Sequence, residues 1–282
     1  MIQDIGKKHL MNQYQPKVPA DTDVVMIFHG RMIYAKNDGK KLLFLTYGEV
    51  MEISREKGFS LNECIYLFQI GELSCFLLDC DEIQAEGFQY YKMRELRRMT
   101  PKEAVFAAAT AWHLYVWYTS NQFCGVCGEK TLHDKRERML RCNKCGNMIY
   151  PRLVPAVIVG LTDGDKMLVT KYAGREHKRY ALIAGFAEIG ETLEETVARE
   201  VREEVGLRVK NITYYKSQPW GFESDLLMGF YCELDGDGTI VMDEQELAVA
   251  EWVDYQDMPR YKEGLSLTEE MMNHFCENRK KK

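Results

Sequence analysis

The sequence predicts an α/β protein in which a mostly β amino-terminal domain and a layered α/β carboxy-terminal domain flank a small cysteine-bearing insert. Three observations carry that expectation. The first hundred residues hold several β-rich apolar runs separated by turn signals, two Cys-x-x-Cys pairs stand between residues 121 and 149, and beyond Pro151 strand-like runs alternate with amphipathic helical ones. At 282 residues the chain is too long for one small core, and the boundaries are drawn at 1–120, 121–149 and 150–282.

In the first domain, residues 24–34, 41–47, 64–70 and 73–78 read as strands, with turns at Asn37-Asp38-Gly39 and Gly71. Thr100-Pro101-Lys102-Glu103 reads as a capping box with proline at the first helical position, opening a helix that runs to Tyr118 and closes the domain. Its Trp112, His113 and Trp117 are expected in the core. In the last domain, strands are expected at 154–161, 166–172, 180–184, 212–216, 226–234 and 248–255, with helices at 192–205 and 266–278.

Apolar residues make up 46% and charged residues 28%, the balance of a globular chain that can bury a full core. A formal net charge of -6 argues against a protein that holds nucleic acid mainly by neutralising phosphates. Residues 1–8 lack the apolar run of a signal peptide, and no uncharged apolar stretch approaches the ~20 residues of a membrane helix, so the expected location is the cytoplasm. Nine cysteines, four of them in tight pairs, favour reduced thiols and metal over a disulfide framework.

The pairs are Cys124-Gly125-Val126-Cys127-Gly128 and Cys142-Asn143-Lys144-Cys145-Gly146, a spacing that suits a tetrahedral four-cysteine zinc site. The glycine after each pair permits a turn with positive φ that aims amides at the sulfurs. Four thiolates leave the metal no open position, so one structural Zn2+ is expected. Lys135, Arg136, Arg138 and Arg141 cluster between the pairs, which keeps a zinc-ribbon RNA-binding protein as an alternative from another class.

The densest pattern follows: Gly185, Glu191, Arg199-Glu200-Val201, Glu203-Glu204 and Gly206-Leu207. Thr192 and Glu195 form a capping box that starts a helix, and Gly206 suits its left-handed stop. At ~100° per residue, Glu200, Glu203 and Glu204 share about a third of the circumference, while Val197, Val201 and Val205 follow the adjoining face. Packed like charges destabilise a helix unless neutralised, and a hard divalent cation with oxygen ligands does so. Arg199 is placed to pair with Glu191 or Glu203 and orient the ligands.

This box matches the Nudix signature at every defined position, so the carboxy-terminal half resembles the Nudix hydrolase superfamily. The resemblance implies an α/β/α sandwich and hydrolysis of a nucleoside diphosphate linked to another group. It implies that Glu200, Glu203 and Glu204 hold Mg2+ or Mn2+ with help from the Ala184 carbonyl, that Arg199 serves the same catalytic cluster, and that Glu204 is the indispensable member. Ser217-Gln218-Pro219-Trp220-Gly221-Phe222-Glu223-Ser224-Asp225 resembles the SQPWPFPxS motif of the NADH (NAD+) diphosphatase subgroup, with Gly221 and Glu223 at its later prolines and Asp225 at its last serine.

The same subgroup carries an amino-terminal domain, a four-cysteine ribbon, a Tyr-Pro-Arg and a downstream glutamate, matched here by the first hundred residues, the four cysteines, Tyr150-Pro151-Arg152 and Glu246; the motif likeness begins at about Arg94. It implies Glu246 as a further metal ligand, Phe186 and Tyr150 around a nicotinamide or adenine ring, Gln218, Pro219, Trp220, Gly221, Phe222, Glu223, Ser224 and Asp225 along a dinucleotide substrate, and Glu137 and Arg94 as further contacts. The implied reaction cuts NADH or NAD+ into nicotinamide mononucleotide and AMP, in a homodimer, with NAD-capped RNA as a further substrate. The replaced prolines leave another Nudix pyrophosphohydrolase, acting on ADP-ribose or a nucleoside triphosphate, as the nearer alternative.

Overall fold

In the computed structural model, which describes residues 1–39, 41–62, 64–80, 83–174, 179–261 and 264–280, the two faces of one six-stranded sheet organise the carboxy-terminal unit. Alternate side chains of a strand point to opposite faces. Along Val154–Asp163, Val157, Val159 and Leu161 meet one apolar cluster and Ile158 meets another, which is why this strand reads as a continuous apolar run. Helix α3, Leu193–Val205, supplies Val197, Val201 and Val205 to the first cluster. Helix α4, Leu267–Lys280, supplies Met271, Met272 and Phe275 to the second. The unit is therefore an α/β/α sandwich.

Its sheet runs in the order Val209–Trp220, Asp225–Leu234, Val154–Asp163, Lys166–Tyr172, Leu247–Asp254, with Ile183–Phe186 also paired to Val154–Asp163. Val154–Asp163 and Asp225–Leu234 are parallel, while Ile183–Phe186 is antiparallel to the former and places Ala184 opposite Ile158. The strand expected at 180–184 thus lies two to three residues later, preceded by a single bridge between Thr170 and Ala181. The strand expected at 212–216 extends through Trp220.

The chain divides into two compact units, Leu153–Pro219 and Asp225–Lys282 with Met1, and Ile2–Arg152 with Trp220–Ser224. The second unit holds two four-stranded sheets and the three-stranded ribbon. Its helix α1, Tyr47–Lys57, was not expected, because residues 41–47 read as a strand; only Leu42–Leu43 is one. Thr46 and Glu49 close a capping box and Gly58 stops the helix at φ 72°. Helix α2, Lys102–Ser120, lies as expected, but the capping box at Thr100 does not form. Pro101 is the N-cap without a side-chain bond, the Thr100 carbonyl accepts from the Leu42 amide, and the Glu103 carboxylate accepts from Lys8 at 3.0 Å. Trp112 and Trp117 are buried in this helix, as expected, and His113 bonds the Arg152 carbonyl. No helix among the described residues is long and apolar enough to cross a membrane.

Close packing of α4 rests on two glycines. A Cβ at Gly160 would stand 2.7 Å from the Tyr231 ring, and one at Gly229 would stand 2.7 Å from Met271 Sδ. Gly160→Ala is therefore expected to lower stability by about 1–3 kcal/mol, the usual effect of overpacking. Chemical denaturation should show this as a lower midpoint with an unchanged slope; a wild-type midpoint would mean that this face is loosely packed.

Candidate active site and zinc centre

Thr131–His133, Leu140–Cys142 and Met148–Ile149 form a small antiparallel sheet; Cys142 ends its middle strand, and Cys124, Cys127 and Cys145 lie in the segments beside it. Gly128 and Gly146 both sit in the left-handed region, at φ 74° and 76°, and each donates its amide back to the first cysteine carbonyl of its own pair. The four sulfurs lie within 4.8 Å of one another, with Cys124 to Cys145 and Cys127 to Cys142 each at 3.5 Å. Tetrahedral zinc–sulfur bonds of about 2.3 Å require sulfurs roughly 3.8 Å apart, so this cluster fits Zn2+. The Val126 amide and the Asn147 side chain also point at the Cys124 sulfur. Of the basic residues between the pairs, Arg138 is committed elsewhere, donating to the Leu67 carbonyl and to Asn12.

Loss of one ligand should be felt as instability. Cys142→Ser is expected to release zinc and lower the unfolding midpoint by about 5–10 °C. Elemental analysis and calorimetry check it, and retained zinc with an unchanged melt would exclude a structural metal.

In the carboxy-terminal unit, Thr192 and Glu195 form their capping box and Gly206 stops α3 at φ 73°. The valine face holds this helix on the sheet, and Glu204, one residue from the valine stripe, is carried inside to 3% exposure. One Glu204 carboxylate oxygen accepts from the Ala184 amide, while Oε2 is buried without a hydrogen-bond partner among the described residues. Burial first, then the charges of Glu200, Glu246 and Asp243, push the Glu204 carboxyl up to about 8. Burial also raises Glu200, against the pull of Arg199. A buried carboxylate oxygen without a donor, in a field of further carboxylates, is an environment that suits a hard divalent cation.

Arg199 gathers the rest. Its guanidinium donates to both oxygens of Glu191 at 2.6 and 3.0 Å, to Glu200 at 2.7 Å, to Glu203 at 3.0 Å and to the Phe186 carbonyl at 2.9 Å. Both partners named from the sequence are thus engaged, and Glu200 with them. Arg199 holds the Glu191 carboxyl down at about 2, with Thr196 and the Glu188 amide assisting. Gly185 is needed because a Cβ there would fall on the Glu200 carboxylate.

The remaining expected residues separate into exposed and interior ones. Phe186 is 53% exposed and Tyr150 52%, each in its own unit. The Tyr150 hydroxyl donates to Glu137 at 2.9 Å, and Arg94 lies exposed in the turn Met93–Arg98. The Gln218 side chain is fully buried, donating to the Leu265 carbonyl at 2.7 Å and accepting from the Leu267 amide at 2.6 Å, and so fastens the start of α4. Trp220 and Phe222 are likewise interior, packed ring to ring at 5.1 Å, with Arg97 over Trp220 and the Trp112 indole donating to the Phe222 carbonyl. A Cβ on Gly221 would strike the Ala109 carbonyl, and Asp225 is buried. Pro219 and Glu223 stay exposed and Ser224 half-buried, with Glu223 paired to Arg31 at 3.2 Å. Glu246 is exposed. Asp243, beside Glu204, was not singled out from the sequence, since it stands in a segment without periodicity.

Sandwich, buried carboxylate and guanidinium clamp define a class: residues 151–275 match the NUDIX domain model, and this part of the chain is a Nudix domain. Residues 119–150 match the NADH pyrophosphatase zinc ribbon domain, so the chain carries a Nudix domain preceded by that ribbon. It is similar to the NAD-capped RNA hydrolase NudC of Klebsiella pneumoniae, 41% identical over 143 residues that make up 51% of this chain and 55% of that one. The NudC of Salmonella typhimurium is 38% identical over 171 residues, 60% of this chain and 66% of that one. The chain thus spans between about half and two thirds of the curated relatives it matches. Among solved structures, a NUDIX hydrolase from Nitrosomonas europaea aligns at 21% identity and TM-score 0.46, covering 57% of this chain and 93% of that one.

The buried carboxylate has a pH signature. A carboxyl whose folded pKa is raised keeps its proton more firmly in the folded state, so stability falls as pH climbs from the ordinary carboxylate range through about 8. Without added divalent cations, Glu204→Gln should therefore melt higher than the wild type at pH 8 and at the same temperature near pH 4. Equal shifts at both pH values would show that no ionisable group is buried there.

Proposed function

We propose that this protein hydrolyses the pyrophosphate bond of NADH or NAD+, giving the nicotinamide mononucleotide and AMP, and that NAD-capped RNA is a further substrate. The buried, unpartnered oxygen of Glu204 beside Glu200 is the observation that carries the reading. The NADH pyrophosphatase zinc ribbon and the similarity to relatives named NAD-capped RNA hydrolase support the substrate class.

In this reading Glu200, Glu203, Glu204 and Glu246, with the Ala184 carbonyl, hold Mg2+ or Mn2+. Such an ion neutralises the diphosphate and lowers the pKa of a bound water. Arg199 fixes Glu200 and Glu203 through its fork of donors and keeps Glu191 ionised. Phe186 and Tyr150 each present an open ring to a flat base, and Glu137 holds the Tyr150 hydroxyl. Pro219, Glu223, Ser224 and Arg94 remain as exposed or partly exposed polar and backbone contacts for the dinucleotide, in a cytoplasmic homodimer. Gly221 and Glu223, standing at the motif's prolines, favour as the second reading a Nudix pyrophosphohydrolase for ADP-ribose or nucleoside triphosphates.

Product analysis across NADH, NAD+, NAD-capped RNA, ADP-ribose and nucleoside triphosphates, with each ion, separates these. Nicotinamide mononucleotide and AMP are the expected products, and Glu204→Gln is expected to slow turnover about a hundred- to a thousandfold with the fold intact. Cleavage of ADP-ribose or triphosphates with NADH and NAD+ left uncut would transfer the assignment to the second reading.

A further inference from the structure

The last carbonyls of a helix have no partner within it. At the end of α3 two of them are taken by one loop: Val205 accepts from the Val241 amide at 3.0 Å, and Glu204 accepts from the Asp243 amide at 2.9 Å. Asp243 then folds the loop back on itself. Its Oδ1 accepts from the Gln245 amide at 2.8 Å, and its carbonyl accepts from Glu246 at 3.3 Å and Leu247 at 2.9 Å. A side chain that binds the amide two residues on is a turn that aspartate forms readily.

Glu246 is thereby fixed from both sides, because the Ala173 amide donates to its carbonyl at 2.8 Å. The loop from 236 to 246 has no strand or helix of its own, so these bonds set where Glu246 begins. Its charge, with that of Asp243, is felt at Glu204, whose own Oε2 is buried without a partner.

We infer that Asp243 is a positioning residue that ties the Glu246 loop to the end of α3 and so brings the Glu246 carboxylate to the cation held by Glu204. The inference rests on the divalent-cation reading above. Asp243 touches no substrate in this account; its oxygen acts through the Gln245 amide.

Mn2+ titration of the full, zinc-loaded and nucleotide-free protein, followed by electron paramagnetic resonance, tests it. Asp243→Ala is expected to weaken Mn2+ binding about tenfold, the size usual for groups that support metal ligands. Glu246→Gln should weaken it comparably, and the double variant should lose little more. Asp243→Asn, whose amide oxygen still accepts from Gln245, should stay within about twofold of the wild type, and Asp243→Ser, a poorer acceptor, should fall between should the alanine variant fail to fold. Asparagine as weak as alanine would show that the charge of Asp243 acts directly and would overturn the inference. So would additive losses, or an alanine variant that binds like the wild type. A wild type that binds no Mn2+ would remove the proposed function itself, whereas a wild type that binds and a Glu246→Gln variant that binds equally well would remove only the role of this loop.

Discussion

A carboxylate inside the protein is the constraint around which the carboxy-terminal unit is arranged. Ionised, Glu204 would face the cost of burial, the neighbouring acids and the negative end of the helix dipole together. It stays there because Val197, Val201 and Val205 press α3 onto the sheet, and no rotation of the helix can expose Glu204 without exposing the valines. The charge is made tolerable locally: Arg199 draws Glu191, Glu200 and Glu203 into one ion-paired cluster, and the Ala184 amide meets one oxygen of Glu204. A proton or a cation completes the balance. The same apolar contacts that stabilise the fold thus create the electrostatic demand on which the chemistry depends.

The ribbon meets its own difficulty by different means. About thirty residues with three short strands bury too little apolar surface to hold their shape. Two similar turns, each ended by a left-handed glycine, present paired sulfurs that one ion can bind together. Arg138 and the Tyr14 hydroxyl, which donates to the Asp134 carbonyl at 3.0 Å, fasten the ribbon to the rest of its unit. Metal and side-chain hooks take the place of a core.

What could be read in advance depended on how local its cause was. Helix α3 was legible because its cap, apolar stripe and stop all lie within fifteen residues. Helix α1 carries the same cap and stop at Thr46, Glu49 and Gly58, but the apolar run before it masked them. At Thr100 the opposite happened, since the right residue types stand at the right spacing while Lys8, distant in sequence, holds Glu103. Gln218 depended on register: the strand continues through Trp220, and its alternation turns Gln218 and Trp220 inward and Pro219 outward. Asp243 was invisible for a related reason, as its role comes from the end of a helix forty residues earlier and leaves no periodic trace.

Gly221 carries a consequence for how this chain can change. The subgroup motif has proline there, yet any side-chain carbon at 221 would occupy the space of the Ala109 carbonyl in α2. A side chain at 221 therefore requires the backbone of a helix more than a hundred residues away to move, and the two stretches are sterically coupled.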